Sequence, residues 1–177
     1  MQNPLYKKFN TRHILIHLVA IYFFQQGVLQ LAVLTDIEFL EILRTGRDNL
    51  SQFTLTRRIS FLTNLALFSA FGMIGGFLIA LFISIKRKWF WLNSLIAFVM
   101  LYASINFLPV GVGLGTSFLF MDAYSDNLFL LHLFTGLFFI SISMLFLFLK
   151  FINRFIQGRK KDEKLAAFQF ESQKDEP

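Results

Sequence analysis

The chain has 177 residues, of which 55% are hydrophobic and 16% charged; Phe alone occurs 25 times, there is no Cys, and the formal net charge is +6. Soluble domains average about 25% charged residues, and a soluble protein this small would have to expose much of that apolar surface, which points to lipid as its solvent. Without Cys, disulfides, thiolate metal sites, thiol nucleophiles and thiol redox chemistry are excluded.

A basic lead of Lys7, Lys8 and Arg12 precedes the first apolar stretch, residues 13–34. The lead suits a secretory signal, but the stretch is too long for one, has no small-x-small cleavage site, and carries Gln25, Gln26 and Gln30 in its second half. It reads as a retained helix. His13 and His17 are four residues apart and share one helix face at its start. The third histidine, His132, lies on the order of 20 Å away by helical rise. A His-only metal or haem site within one protomer is therefore excluded, and no metal or cofactor is expected. His13 is placed at headgroup level and His17 within the bundle.

Residues 35–58 form a first loop with structure of its own. Thr35 and Glu38 have capping-box spacing and Gly46 marks a stop. Between them Phe39, Leu40, Ile42 and Leu43 face one side, and Glu38, Glu41 and Arg44 the other. That amphipathic helix serves either as a lid over the bundle or as a docking surface. Asn49-Leu50-Ser51 is a glycosylation sequon that matters only in a eukaryotic host.

The second apolar stretch, 59–85, contains Gly72, Gly76 and Ala80, a small-residue stripe that admits a close helix neighbour from within the bundle or from another copy. Lys86, Arg87 and Lys88 follow, then Trp89 and Trp91, read as basic and aromatic anchors at the membrane surface. The third stretch, 89–108, runs into a glycine-rich loop, 109–116. That loop lacks the Lys and helix start of a phosphate cradle and the short pore helix of a potassium filter. It is read as flexible, with 118–121 re-entrant. The fourth stretch is 128–152, and a tail from Arg154 carries Arg159, Lys160, Lys161 and Lys164 before an acidic end.

Four apolar stretches, each near the ~20 residues that cross a bilayer, predict an all-α membrane protein: a four-transmembrane-helix bundle over residues 1–153 with a polar tail, 154–177. If all four span, 13 of the 17 basic residues fall on one side. The positive-inside rule makes that side cytoplasmic, with both termini there, as in a bacterial inner membrane. Lys86, Arg87, Lys88, Arg159, Lys160 and Lys161 are then expected at anionic headgroups, and a nucleic-acid partner is not expected.

Aligning the stretches by depth puts Gln30, Asn64, Asn106 and His132 in one layer ~10–12 Å outward of the midpoints. Gln26, Thr63, Ser104 and Thr135 lie nearby. If they face inward, they form hydrogen-bonded glue or a small polar pocket under the outer surface.

No span holds a carboxylate, so enzyme chemistry gains no support. The sequence also lacks the Cys pair, the paired aspartates and the charged span residues of three enzymatic four-helix families: quinone reductases, lipoprotein signal peptidases and eicosanoid-metabolising enzymes. Two functions from different classes remain. One is a non-enzymatic accessory or scaffold subunit that associates with other membrane proteins or with itself through the second span and first loop. The other is a homo-oligomeric channel or membrane-permeabilising pore.

Overall fold

The computed structural model describes residues 9–45, 55–107, 126–149 and 152. All elements among them are helical. Helix α1 (Thr11–Val33) continues through a 3-10 turn (Leu34–Asp36) into α2 (Ile37–Thr45), followed by α3 (Leu55–Lys86), α4 (Leu92–Phe107) and α5 (Leu128–Phe148). Three helical runs, Thr11–Glu41, Leu55–Lys86 and Leu128–Phe148, are long and apolar enough to cross a membrane, and α4 is apolar but shorter. The architecture is that of an all-α integral membrane protein. The sequon, the glycine-rich loop with the re-entrant segment, Lys7, Lys8 and the tail with Arg159, Lys160 and Lys161 lie outside the described residues.

Local signals set the helix ends. The Asn10 side chain caps α1 by accepting from the Arg12 and His13 amides at 3.0 and 3.3 Å, and Asn127 caps α5 through the Leu130 amide at 3.0 Å. Helix α3 ends in a Schellman turn. Lys88 takes a left-handed φ of 55°, the Trp89 amide returns to the Ser84 carbonyl (2.8 Å) and the Lys88 amide to Ile85 (3.0 Å). This turn consumes residues 87–91, so α4 starts at Leu92 rather than at Trp89, where the apolar stretch begins.

Helix α1 is the central element and packs against α3, α4 and α5. Glycines permit two of these crossings. A Cβ at Gly27 would lie 2.6 Å from Ile140 Cγ1 and 2.8 Å from the Gly136 carbonyl oxygen, so α1 and α5 approach backbone to backbone. On α3, a Cβ at Gly72 would stand 3.0 Å from Gln25 Cα, and one at Gly76 3.3 Å from Ile21 Cα. Gly72, Gly76 and the buried Ala80 thus face α1 of the same chain.

Between these crossings, Ala20, Ile21, Met73, Ala80, Ile83, Ala97, Leu101 and Leu147 form a buried apolar cluster. The outward positions of α3, among them Leu62, Phe71, Leu78, Phe82 and Ile85, are exposed, which is the inside-out pattern lipid permits. Helix α2 folds over the bundle. Phe39 lies against Phe61 (ring centroids 4.9 Å apart), and Leu40 joins Val33, Leu128 and Leu131. Arg57 clamps the lid, donating to Asp36 at 2.8 Å and to Glu38 at 2.9 Å.

Candidate functional site

The polar side chains of α1 gather at its two ends. At the first end, His13 and His17 are 2% and 1% exposed. The α3–α4 turn places Ser84, at the last turn of α3, and Asn93 and Ser94, at the start of α4, around them. His17 Nδ1 lies 2.9 Å from Ser94 Oγ, His13 Nδ1 3.1 Å from Asn93 Nδ2, and the two Nε2 atoms are 3.2 Å apart. Ser84 Oγ lies 3.2 Å from His13 Nε2 and 2.8 Å from Ser94 Oγ.

The partners assign the protons. The Asn10 backbone N–H donates to Asn93 Oδ1 (3.4 Å), which turns the Asn93 NH₂ towards His13 Nδ1. That nitrogen accepts, so the proton of a neutral His13 ring sits on Nε2. His17 Nε2 accepts from it, leaving Nδ1–H to donate to Ser94. Bonds run in one sense from Asn10 to the serine pair, and none requires a charged ring.

Trp89 closes the cluster, with its ring centroid 4.7 Å from that of His13. Its buried Nε1 has no hydrogen-bond partner among the described residues. Arg87 lies over the Trp89 ring at 5.1 Å and donates to the Phe148 carbonyl at 3.4 Å. Burial holds its guanidinium below the ordinary arginine range.

At the other end of α1, His132 Nδ1 donates to Gln30 Oε1 at 2.6 Å, with both residues buried. Gln25 Nε2 donates to Ser69 Oγ at 2.7 Å. The Oε1 atoms of Gln25 and Gln26 are buried without a partner among the described residues. Between the two ends, Ala20 and Ile21 are fully buried in apolar surroundings. The polar contact found there among the described residues is internal: Ser143 Oγ on α5 donates to the Ala20 carbonyl at 2.7 Å.

The structure therefore joins two of the four residues aligned by depth, Gln30 and His132. Asn64 and Asn106 are exposed, and Asn106 Nδ2 donates back to the Tyr102 carbonyl of its own helix at 2.8 Å. Depth was a sufficient guide for α1 and α5, but the facing angle of α3 and α4 was not fixed by it. Burial adds two observations. His13 is enclosed by the protein, because the tight turn folds Asn93 and Ser94 over it, and Trp89 packs on that histidine, whereas Trp91 is exposed. Of the basic trio, Lys86 and Lys88 are exposed, and Arg87 is half-buried.

No protein-family model, curated protein or solved structure matches the chain. The site must therefore be read from its own chemistry. Among the described residues no group of three or more His, Cys, Asp or Glu side chains converges. The first cluster offers two imidazoles and two hydroxyls with no carboxylate to orient them as a general base, and the second offers one imidazole on an amide.

Ser84, Asn93 and Ser94 were missed in the sequence. The signal that finds them is the depth alignment applied to the first end as well as the second. Polar residues flanking residues 86–91 on both sides must return to the level of His13 and His17.

Proposed function

We propose that the chain is a four-span protein of a bacterial inner membrane, with both termini cytoplasmic, and that it is a non-enzymatic accessory subunit. In this reading it associates laterally with another membrane protein or a second copy of itself through the outer half of α3. Orientation follows from the basic residues: the α3–α4 turn and the two tails carry 13 of 17. Helix α4 supplies the remaining crossing. Its 16 residues rise about 24 Å, and the apolar turn residues Trp89, Phe90 and Trp91 extend it towards the ~30 Å core.

One observation carries the association. From Leu55 to Phe71, α3 buries only Phe61, and Ser60, Thr63 and Asn64 are exposed on it. Lipid offers a side-chain amide no hydrogen-bond partner, whereas a neighbouring helix does. The glycine stripe does not compete for this role, because it is turned to α1. Helix α2 gives its apolar side to the bundle and leaves Glu38 and Glu41 exposed. A pore is favoured less. The apolar cluster around Ala20 and Ile21 divides the protomer's polar groups. The inner half of α3's free side, with Ile74, Leu78, Phe82 and Ile85, would give a channel between copies no hydrophilic lining.

A photo-crosslinking residue at position 67, exposed on the same side of α3, tests the reading in cells. A discrete protein adduct is expected, and twice the chain's mass would identify a second copy. Adducts with lipid alone would refute the association.

A further inference from the structure

Two adjacent glutamines of α1 are nearly fully enclosed. Gln25 and Gln26 are 1% and 3% exposed, and each keeps a buried Oε1 without a hydrogen-bond partner among the described residues. The two side chains leave α1 in different directions, because consecutive helical residues turn by about 100°. Gln25 meets α3, where its Nε2 donates to Ser69 Oγ at 2.7 Å. Gln26 shares a face with Gln30, four residues on, whose Oε1 accepts from His132 of α5. Turning the Gln25 amide over would put its oxygen on Ser69 and leave a buried NH₂ unpaired instead. Either orientation leaves one polar atom of Gln25 unanswered, and a buried amide group left so forfeits its full cost of desolvation.

Apolar side chains close this layer above and below. Towards the second end of α1, Leu65, one turn from Ser69, and Leu131, next to His132, pack with Val33, Leu128 and Leu40 of α2. Towards the first end, Ala20 and Ile21 lie in the buried apolar cluster. Lipid on the remaining sides has no donor to offer an amide oxygen. Residues 25–30, 65–69 and 132–136 contain no carboxylate, Lys or Arg, so a charged guest would go uncompensated. The guest that fits is neutral, small and able to donate to an amide oxygen.

We propose that Gln25 Oε1 and Gln26 Oε1 each hold an internal water molecule, at two separate sites, and that these waters enter and leave past α2. Water donates to the oxygen in one orientation of the Gln25 amide and accepts from the NH₂ in the other. Buried waters characteristically bond polar groups that the protein leaves unmet, with two to four partners each. Ser69 Oγ beside Gln25, and the Gln30 amide one turn from Gln26, are the further polar groups at hand. The route follows from the closure. Leu40 sits on the apolar seal, and α2 is clamped by Arg57 on Asp36 and Glu38. Lifting α2 is the step that opens the seal to bulk water. The proposal is independent of how α3 associates with a partner.

Water-edited solid-state NMR of the isotopically labelled wild-type chain in lipid bilayers tests the two sites without a substitution. Magnetisation from water is expected on the Gln25 and Gln26 side chains at mixing times that leave Ala20 and Ile21 dark. Gln25 and Gln26 signals as weak as those of Ala20 and Ile21 would overturn the waters. The route is read from deuterium exchange of the Gln25 side-chain amide. Arg57→Gln should speed it about twofold, the scale of one partly exposed ion pair. High salt, which screens the same pair in the wild type, should speed it likewise and keeps the test independent of variant folding. A rate unchanged in both would overturn entry past α2.

Discussion

The two ends of α1 bury comparable numbers of polar side chains but use them differently. At the first end, His13 and His17 meet Ser84 of α3 and Asn93 and Ser94 of α4, and each of these bonds shares a residue with another. At the second end, Gln30 pairs with His132 on α5 and Gln25 with Ser69 on α3, as two separate bonds. Gln25 and Gln26 also keep buried oxygens without a partner among the described residues. The same polarity produces a network where a five-residue turn brings two helix ends together. It produces isolated pairs where two helices merely cross.

The largest effect is expected where the second end can be broken without touching the first. Gly27→Ala should destabilise the bundle by about 1–3 kcal/mol, because its Cβ would meet the Gly136 carbonyl and Ile140. The His132 ring resonances should shift in NMR while those of His13 and His17 stay. Gly75→Ala, whose Cβ would meet only the Phe24 ring edge, is the control and should leave the melting temperature close to wild type.

Next come the bonds themselves. His17→Leu strips partners from both His13 and Ser94 and should cost about 1–3 kcal/mol for the groups left unsatisfied. His132→Leu frees a single amide acceptor and should cost nearer the ~0.6 kcal/mol average of interhelical hydrogen bonds. Equal losses in thermal melts of the two variants would remove the distinction between network and pair.

A smaller change, in the opposite direction, is expected at the turn. Lys88→Gly relieves a side chain held at positive φ and should stabilise the chain by up to ~1 kcal/mol, read as a rise in melting temperature. The smallest concerns the lid. Asp36→Asn should loosen α2 only slightly, and the difference from wild type should vanish in high salt, since the Arg57 pair is partly exposed.

Much of the fold was legible in the residues. The apolar runs, the amphipathic segment Glu38–Arg44 and the small-residue stripe each reflect a local rule that the bilayer enforces strongly. The Gln30–His132 contact was legible from depth, because α1 and α5 cross closely at Gly27 and Gly136. Asn64 and Asn106 were not. Depth along a helix follows from counting, but the direction a residue faces depends on how α3 and α4 pack on α1. The first cluster stayed hidden for a related reason. Counting placed His13 at headgroup level but gave no sign that the Schellman turn at Lys88 carries Asn93 and Ser94 back over it.

The claim that α1 holds two polar clusters separated by an apolar layer can be tested with one thiol. The chain has no cysteine, so Ser143→Cys introduces a single one, nearly isosteric, beside Ala20. Labelling with a membrane-impermeant, charged methanethiosulfonate should fail from either face of the bilayer and succeed only after denaturation. Modification in the native protein would show that water reaches the layer, and that the two clusters belong to one continuous polar path.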